Sequence, residues 1–323
     1  MGDLIVSTPA IKYIRQNFPD AKISLLVRRE YQNLLKLNPN IDEIIAFDLS
    51  LKFLTGINRL KEEFKFLQLI RGRKFDTVLS LQASDRSTLW AYFSGAKTRV
   101  GPVNQGFSFL NNIRVQVYED AIGYLTYYNK IAEGLQIKVE ENKTEFFIEK
   151  KTKESMKNNL VAKDFLNSKK LIVIHPGASE PTKIWELKNF LELAVSLSNN
   201  YDIVFVKGPS EENIISEILM LNKNNINFVD TSNDVNELAA LLTFAELCIC
   251  NDSGTRHLAA ALNRKTLTLF PDDKKVSWNF YNEVDGHYLI YGKRGDEESG
   301  KSLKNISVKS VISKVNSIML NEK

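Results

Sequence analysis

The sequence predicts an α/β protein made of two successive Rossmann-like domains, and three observations carry that expectation. Short apolar runs rich in Val, Ile and Phe alternate with amphipathic stretches of about 10–18 residues, the pattern of βα units around a parallel sheet. A length of 323 residues suits two domains, each large enough to close its own core. The alternation breaks at a polar, Lys-rich segment, Glu149–Lys170, and then begins again. The expected domains are residues 1–150 and 151–323. Two such domains imply a cleft between them, and open α/β sheets bind ligands at the carboxyl ends of their strands.

In the first half, strands are expected at Lys22–Val27, Glu43–Phe47, Phe75–Leu81 and Glu145–Ile148. Helices are expected at Ser7–Asn17, Glu30–Leu37, Phe53–Arg71, Ser84–Ser94 and Tyr124–Glu133, with Glu149–Lys170 as a connecting helix. The second half opens on the buried-strand run LIVIH, Leu171–His175, followed by strands at Ile203–Val206, Leu247–Cys250 and Thr266–Phe270. Its helices are expected at Trp185–Ser198, Glu211–Leu221, Val235–Thr243, Gly254–Leu262 and Val308–Leu320, the last packing on one of the domains. Gly2-Asp3 reads as a strand-to-helix turn with no strand before it. Either that strand lies upstream of Met1, or the first sheet lacks it and carries a gap or a rearranged order.

Composition narrows the function. The chain is 43% hydrophobic and 25% charged, as in soluble globular proteins, and no apolar run approaches the ~20 residues that span a bilayer. The opening MGDLIVSTPAIKYIRQ carries Asp3 where a signal peptide needs a basic region, and Val6 stands where a myristoylation motif needs Ser or Thr. The expected location is therefore the cytoplasm. Residues 1–120 hold 17 Lys/Arg against 12 Asp/Glu, whereas the remainder holds 26 against 27. The front half is thus the side suited to an anionic partner, including peripheral contact with the cytoplasmic face of an inner membrane. The excess is too diffuse for nucleic acid. Cys248 and Cys250 read as small buried hydrophobes, and no cysteine or histidine cluster completes a metal site. No cofactor is expected.

Two loops carry the chemistry. In IHPGASEPTKIW, Ile174–Trp185, a strand leads through Pro-Gly-Ala-Ser to a helix start, which aims backbone N–H groups at an anion. Ser179 offers a hydroxyl and Lys183 a mobile ammonium; the alternative is an ordinary βα loop with a solvated lysine. In CNDSGTRHLAAALN, Cys250–Asn263, Asp252, Ser253 and Gly254 present N–H groups at the start of a small-residue helix. His257, one turn in, has its charged form disfavoured by the helix dipole and reads as a neutral donor. Here the alternative is that Asp252 only caps the helix while His257 packs beside it. Together the loops form a diphosphate cradle. A third stretch, GDEESGKS at Gly295–Ser302, matches the P-loop pattern, but three acidic residues inside it and the short chain beyond make it a solvated turn. No G-x-G-x-x-G, G-x-S-x-G or Asp-x-Asp occurs, which disfavours a nicotinamide dehydrogenase, an α/β-hydrolase and a metal-diphosphate transferase.

GDLIVSTPAIKYIRQNFPDAKISLLV, LQASDRSTLWAYFSGAKTRVG, HPGAS with its following Lys and Trp, NDSGTRHLAAAL and NISVKSVISKV, in this order, resemble the signatures of glycosyltransferase family 9, the ADP-heptose:lipopolysaccharide heptosyltransferases. The resemblance implies a GT-B fold, with an acceptor site in the first domain and the nucleotide sugar in the second. It implies metal-independent, inverting transfer of a heptose or related sugar from an ADP-sugar to a lipid-linked or oligosaccharide acceptor, such as a lipopolysaccharide core. By resemblance Asp3 is the general base, although a helix N-cap is its alternative reading. Lys183 matches a lysine on the donor phosphate and Ser179 the hydroxyl of that loop. Asp252, Ser253, Gly254 and Thr255 match the nucleotide-sugar loop, His257 its following histidine, and Glu212 a ribose-holding glutamate. Ser253 stands where Thr is usual, and Phe270–Asp273 replaces a Phe-Gly-x-Thr stretch. Two competing readings are a GT-B sugar-nucleotide epimerase and an inactive nucleotide-sugar-binding protein.

Overall fold

The computed structural model describes the chain apart from residues 49–55, 83, 105, 118–122, 141–142, 208–226, 232–233, 272–279, 293–302 and 321–323. It divides into two compact units, one over Asp3–Glu145 and the other over Phe146–Lys275 and Tyr281–Lys323.

The first unit begins with two short helices, α1 (Gly2–Val6) and α2 (Thr8–Asn17). Pro9 in the first turn of α2 has no N–H to continue the α1 ladder, so the chain breaks at Ser7, whose hydroxyl donates to the Leu4 carbonyl at 2.9 Å. There follow β1 (Ser24–Arg28), β2 (Glu43–Phe47), α3 (Gly56–Gly72), β3 (Thr77–Leu79), α4 (Asp85–Phe93), β4 (Thr98–Pro102), β5 (Ile113–Val115) and α5 (Tyr124–Glu133). All pairings are parallel, but the strands form two separate sheets, β1-β2 and β3-β4-β5. The core joins Val6 and Ala10 to Val100, Leu125, Tyr128, Ile131 and Ala132, so that α5 lies against α2 and β4.

The second unit opens with α6 (Lys150–Ala162) and carries β6 (Lys170–His175), α7 (Leu187–Leu197), β7 (Tyr201–Lys207), β8 (Asn227–Asp230), α8 (Val235–Leu242), β9 (Ala245–Asn251), α9 (Gly254–Ala261), β10 (Lys265–Phe270), β11 (His287–Tyr291) and α10 (Val308–Leu320). Its six parallel strands lie in the order β11-β10-β9-β6-β7-β8. Helices cover both faces, so every residue of β6 from Leu171 to His175 is buried and the strand reads as one continuous apolar run. On one face α7 and α10 pack Phe190, Leu193, Val311 and Val315 against Ile172, Ile174, Leu247 and Leu267. Ala259, Ala260 and Ala261 are small enough to let α9 lie directly on β9 and β10.

Several sequence expectations require correction. Gly2-Asp3 is not a turn but the first turn of α1. Glu30–Leu37 is not an α-helix: a 3₁₀ turn, Arg29–Tyr31, leads into further tight turns that bury the adjacent Leu34 and Leu35, which helical spacing would separate. Glu145–Ile148 joins no sheet: the Glu145 N–H donates to Thr8 Oγ1, and the Asn40 amide donates to the Glu145 carboxylate. The strands β4, β5, β8 and β11 were not expected. The expected helix Glu211–Leu221 and the P-loop-like Gly295–Ser302 lie outside the described residues.

Candidate functional site

In the second unit the chain moves outward through β6, β7 and β8, then crosses back to the other side of β6 for β9, β10 and β11. The carboxyl ends of β6 and β9 therefore flank the topological switch point, where successive loops leave in opposite directions and open a crevice. The loops that follow these two strands are the two that the sequence marks out.

Asn251, the last residue of β9 and fully buried, ties them together. Its amide donates to the Pro176 carbonyl at 2.6 Å and accepts from the Trp185 N–H at 3.2 Å. The indole of Trp185 is fully buried and donates to the Ile306 carbonyl at 3.0 Å, which fixes the far end of the first loop. Between these anchors a 3₁₀ turn, Pro181–Lys183, carries the lysine. Its Nζ lies 3.1 Å from Asp252 Oδ2 and 3.4 Å from Glu180 Oε1. Burial works against the ammonium, but the Asp252 and Glu180 carboxylates outweigh it and raise the Lys183 pKa, so the group stays charged at physiological pH.

Asp252 does not cap α9. The N-cap is Ser253, whose side chain makes no capping bond and whose hydroxyl sits 3.4 Å from His175 Nδ1. The first turn of α9, at Gly254 and buried Thr255, thus starts at the switch point with the positive end of its dipole beside Lys183. Asp252 instead lies between two cations, with Lys183 on one oxygen and Arg256 Nη1 3.5 Å from the other. His257 turns into the interior, where its Nδ1 meets the Tyr281 hydroxyl at 3.2 Å. Burial first, and the Arg256 charge after it, hold its pKa well below the usual value, so the imidazole is neutral. Desolvation is therefore the leading cause, where the sequence reading invoked the helix dipole. Ser179 is exposed in the first loop, and Glu212 lies outside the described residues.

Asp3 belongs to the first unit, in the first turn of α1 with Met1 as N-cap, so the capping alternative does not hold. Its carboxylate is exposed and accepts a hydrogen bond from the Tyr128 hydroxyl of α5 at 3.0 Å. The Tyr128 ring is buried beside Tyr124 and Tyr127, and burial together with the Asp3 charge pushes its pKa up, so it remains a donor.

Sequence reasoning missed Asn251, Arg256 and Tyr128. Asn251 and Arg256 sit inside the motif CNDSGTRH, where a polar residue next to a strand end was the available signal. Tyr128 had none beyond a run of aromatics in an amphipathic helix. Among the described residues, no group of His, Cys, Asp and Glu could hold a metal ion, and no helix is long and apolar enough to cross a membrane.

The profile of glycosyltransferase family 9 (heptosyltransferase) matches residues 63–306. Among similar curated proteins, lipooligosaccharide heptosyltransferase 2 of Campylobacter jejuni is 28% identical over 85% of this chain and 79% of its own length. The lipopolysaccharide core heptosyltransferase OpsX of Haemophilus influenzae is 23% identical over 93% and 85%. Among solved structures, a family 9 glycosyltransferase from Veillonella parvula superposes with a TM-score of 0.83 at 20% identity, covering 99% of this chain and 94% of that one. Escherichia coli heptosyltransferase WaaC, solved with ADP-2-deoxy-2-fluoro heptose, gives 0.76 at 16% identity, covering 98% and 96%. These likenesses give the fold as GT-B.

Proposed function

This chain belongs to glycosyltransferase family 9, the heptosyltransferases, and we propose that it moves a heptose or closely related sugar from an ADP-sugar to a lipopolysaccharide-core or similar glycan acceptor. The second unit is the donor side and the first the acceptor side. The observation that carries this reading is the meeting of Lys183 and Asp252 at the carboxyl ends of β6 and β9, beside the start of α9.

Transfer breaks the bond between the anomeric carbon and the diphosphate and leaves negative charge on the departing oxygen. Lys183 and the first-turn N–H groups of α9 supply the compensating charge, so the reaction proceeds without a metal. Ser179, Ser253, Gly254 and Thr255 line the donor loops, and Glu212 holds the ribose. Asp3 takes the proton from the acceptor hydroxyl as that oxygen attacks from the face opposite the leaving group, which inverts the anomeric centre. Such base catalysis is worth about 10²–10⁴-fold. His257, neutral and hydrogen-bonded to Tyr281, supports the donor loop from within.

The test is release of ADP from ADP-heptose with and without a heptose-free lipopolysaccharide acceptor. Acceptor-dependent release is expected, and Asp3→Asn should lower turnover about 10²–10⁴-fold while ADP still binds. Conversion of the donor sugar without acceptor would establish the epimerase reading instead. Full turnover in the Asp3→Asn protein would remove Asp3 from the mechanism.

A further inference from the structure

Arg256 is fully buried, yet its Nε, Nη1 and Nη2 atoms have no hydrogen-bond partner among the described residues. Taking a guanidinium out of water is costly unless its charge is used. The group lies against the rings of Phe270 and Tyr281, 5.3 and 5.2 Å from their centroids, and its one ionic neighbour among the described residues is Asp252 Oδ1 at 3.5 Å. The other oxygen of the same carboxylate is the one that holds Lys183.

This arrangement bears on how an anion could bind. Lys183 paired only with Asp252 would be a neutral couple, and an incoming diphosphate would have to compete with a nearly buried carboxylate, 7% exposed, for the ammonium. Glu180 adds a second negative group, but its side chain is 54% exposed and its charge is screened by water. Counting Lys183, Glu180 and Asp252 alone, the cluster carries one net negative charge. With Arg256 behind Asp252 it is neutral overall and positive on its inner side.

We infer that Arg256 is a positioning residue of the donor site: by holding Asp252 from behind, its buried charge offsets that carboxylate and frees Lys183 for a nucleoside diphosphate. This rests on the reading of Lys183 as the diphosphate ligand. Arg256 itself does not touch the nucleotide. It also sets the electrostatics of its surroundings, and its charge adds to burial in keeping His257 and His287 neutral.

The experiment is calorimetric titration of the whole protein with ADP, at low and at high salt, for wild type, Lys183→Ala, Arg256→Met and Arg256→Lys. Arg256→Met should weaken ADP binding about tenfold and make it fall less steeply with ionic strength, with the melting temperature little changed. Arg256→Lys restores a charge between the two rings and should bring affinity back to within about threefold of wild type. Wild-type affinity and salt dependence in Arg256→Met would overturn the inference. So would weakened binding with an unaltered salt dependence, the mark of a packing role. If Arg256→Met does not fold, Arg256→Lys decides alone, a tenfold loss there being contrary. Unaltered ADP affinity in Lys183→Ala would instead sink the donor-site reading itself, whatever Arg256 does.

Discussion

Two side chains to which the sequence reading gave no role hold the candidate groups in place. Asn251 uses both ends of its amide to join the loops after β6 and β9, and Tyr128 donates to Asp3. A hydrogen bond to a carboxylate costs little to form and fixes its direction, so the Tyr128 hydroxyl orients the proposed base. Tyr128→Phe keeps the buried ring and removes only that bond. It should lower kcat about threefold to tenfold with ADP affinity unchanged, and the same change should have no further effect in an Asp3→Asn background. An additive loss in the double variant would show that Tyr128 acts apart from Asp3. The roles of the two were not legible beforehand, because each is set by a partner 125 or 75 positions away, and only Asn251 had a local signal, its place at a strand end. That Lys183 and Asp252 lie in loops at neighbouring strand ends was legible from residue type and place, whereas Asp3 was singled out by resemblance alone.

The βα turns that build the switch point were read from local chemistry alone. LIVIH and LCIC are buried runs, Gly254 and the alanines open a helix, and the predicted strands fall within a residue or two of β6, β9 and β10. The missed strands have physical reasons. β4 contains Gly101 and ends on Pro102, β5 is three residues long, and β8 is four. The edge strand β11 follows Gly286 in a left-handed conformation and reads as a loop end, although its register with β10 runs through five residues. His287 on β11 faces Thr266 on β10, Nδ1 to Oγ1 at 3.0 Å, and burial first, then Arg256, push its pKa down to about 4 against a slight pull upward from Asp285. A histidine kept neutral by the fold stabilises it above the unfolded pKa of about 6.5, and that contribution fades as pH falls from there toward about 4. Its full loss amounts to about 3 kcal/mol. The melting temperature should therefore drop across pH 6.5 to 4, and His287→Gln should flatten the drop over that window. Equal slopes for the two proteins would mean that the imidazole does not titrate with unfolding.

At the scale of the molecule, each unit has its own core and its own parallel strands, and the whole chain aligns with GT-B glycosyltransferases. Among the described residues, the strands of the first unit fall into two sheets, β1-β2 and β3-β4-β5, and Gly2-Asp3 opens a helix. Among the described residues the second unit forms one six-stranded sheet, and the order of its strands puts the switch point at the carboxyl ends of β6 and β9, where the proposed donor site lies. The proposed function requires the donor to bind there. The most direct measurement is a crystal structure of the wild-type protein with ADP bound. The diphosphate should lie within hydrogen-bonding distance of Lys183 Nζ and of the backbone N–H groups that begin α9. ADP held elsewhere, with the Lys183–Asp252 pair untouched, would contradict the proposed site.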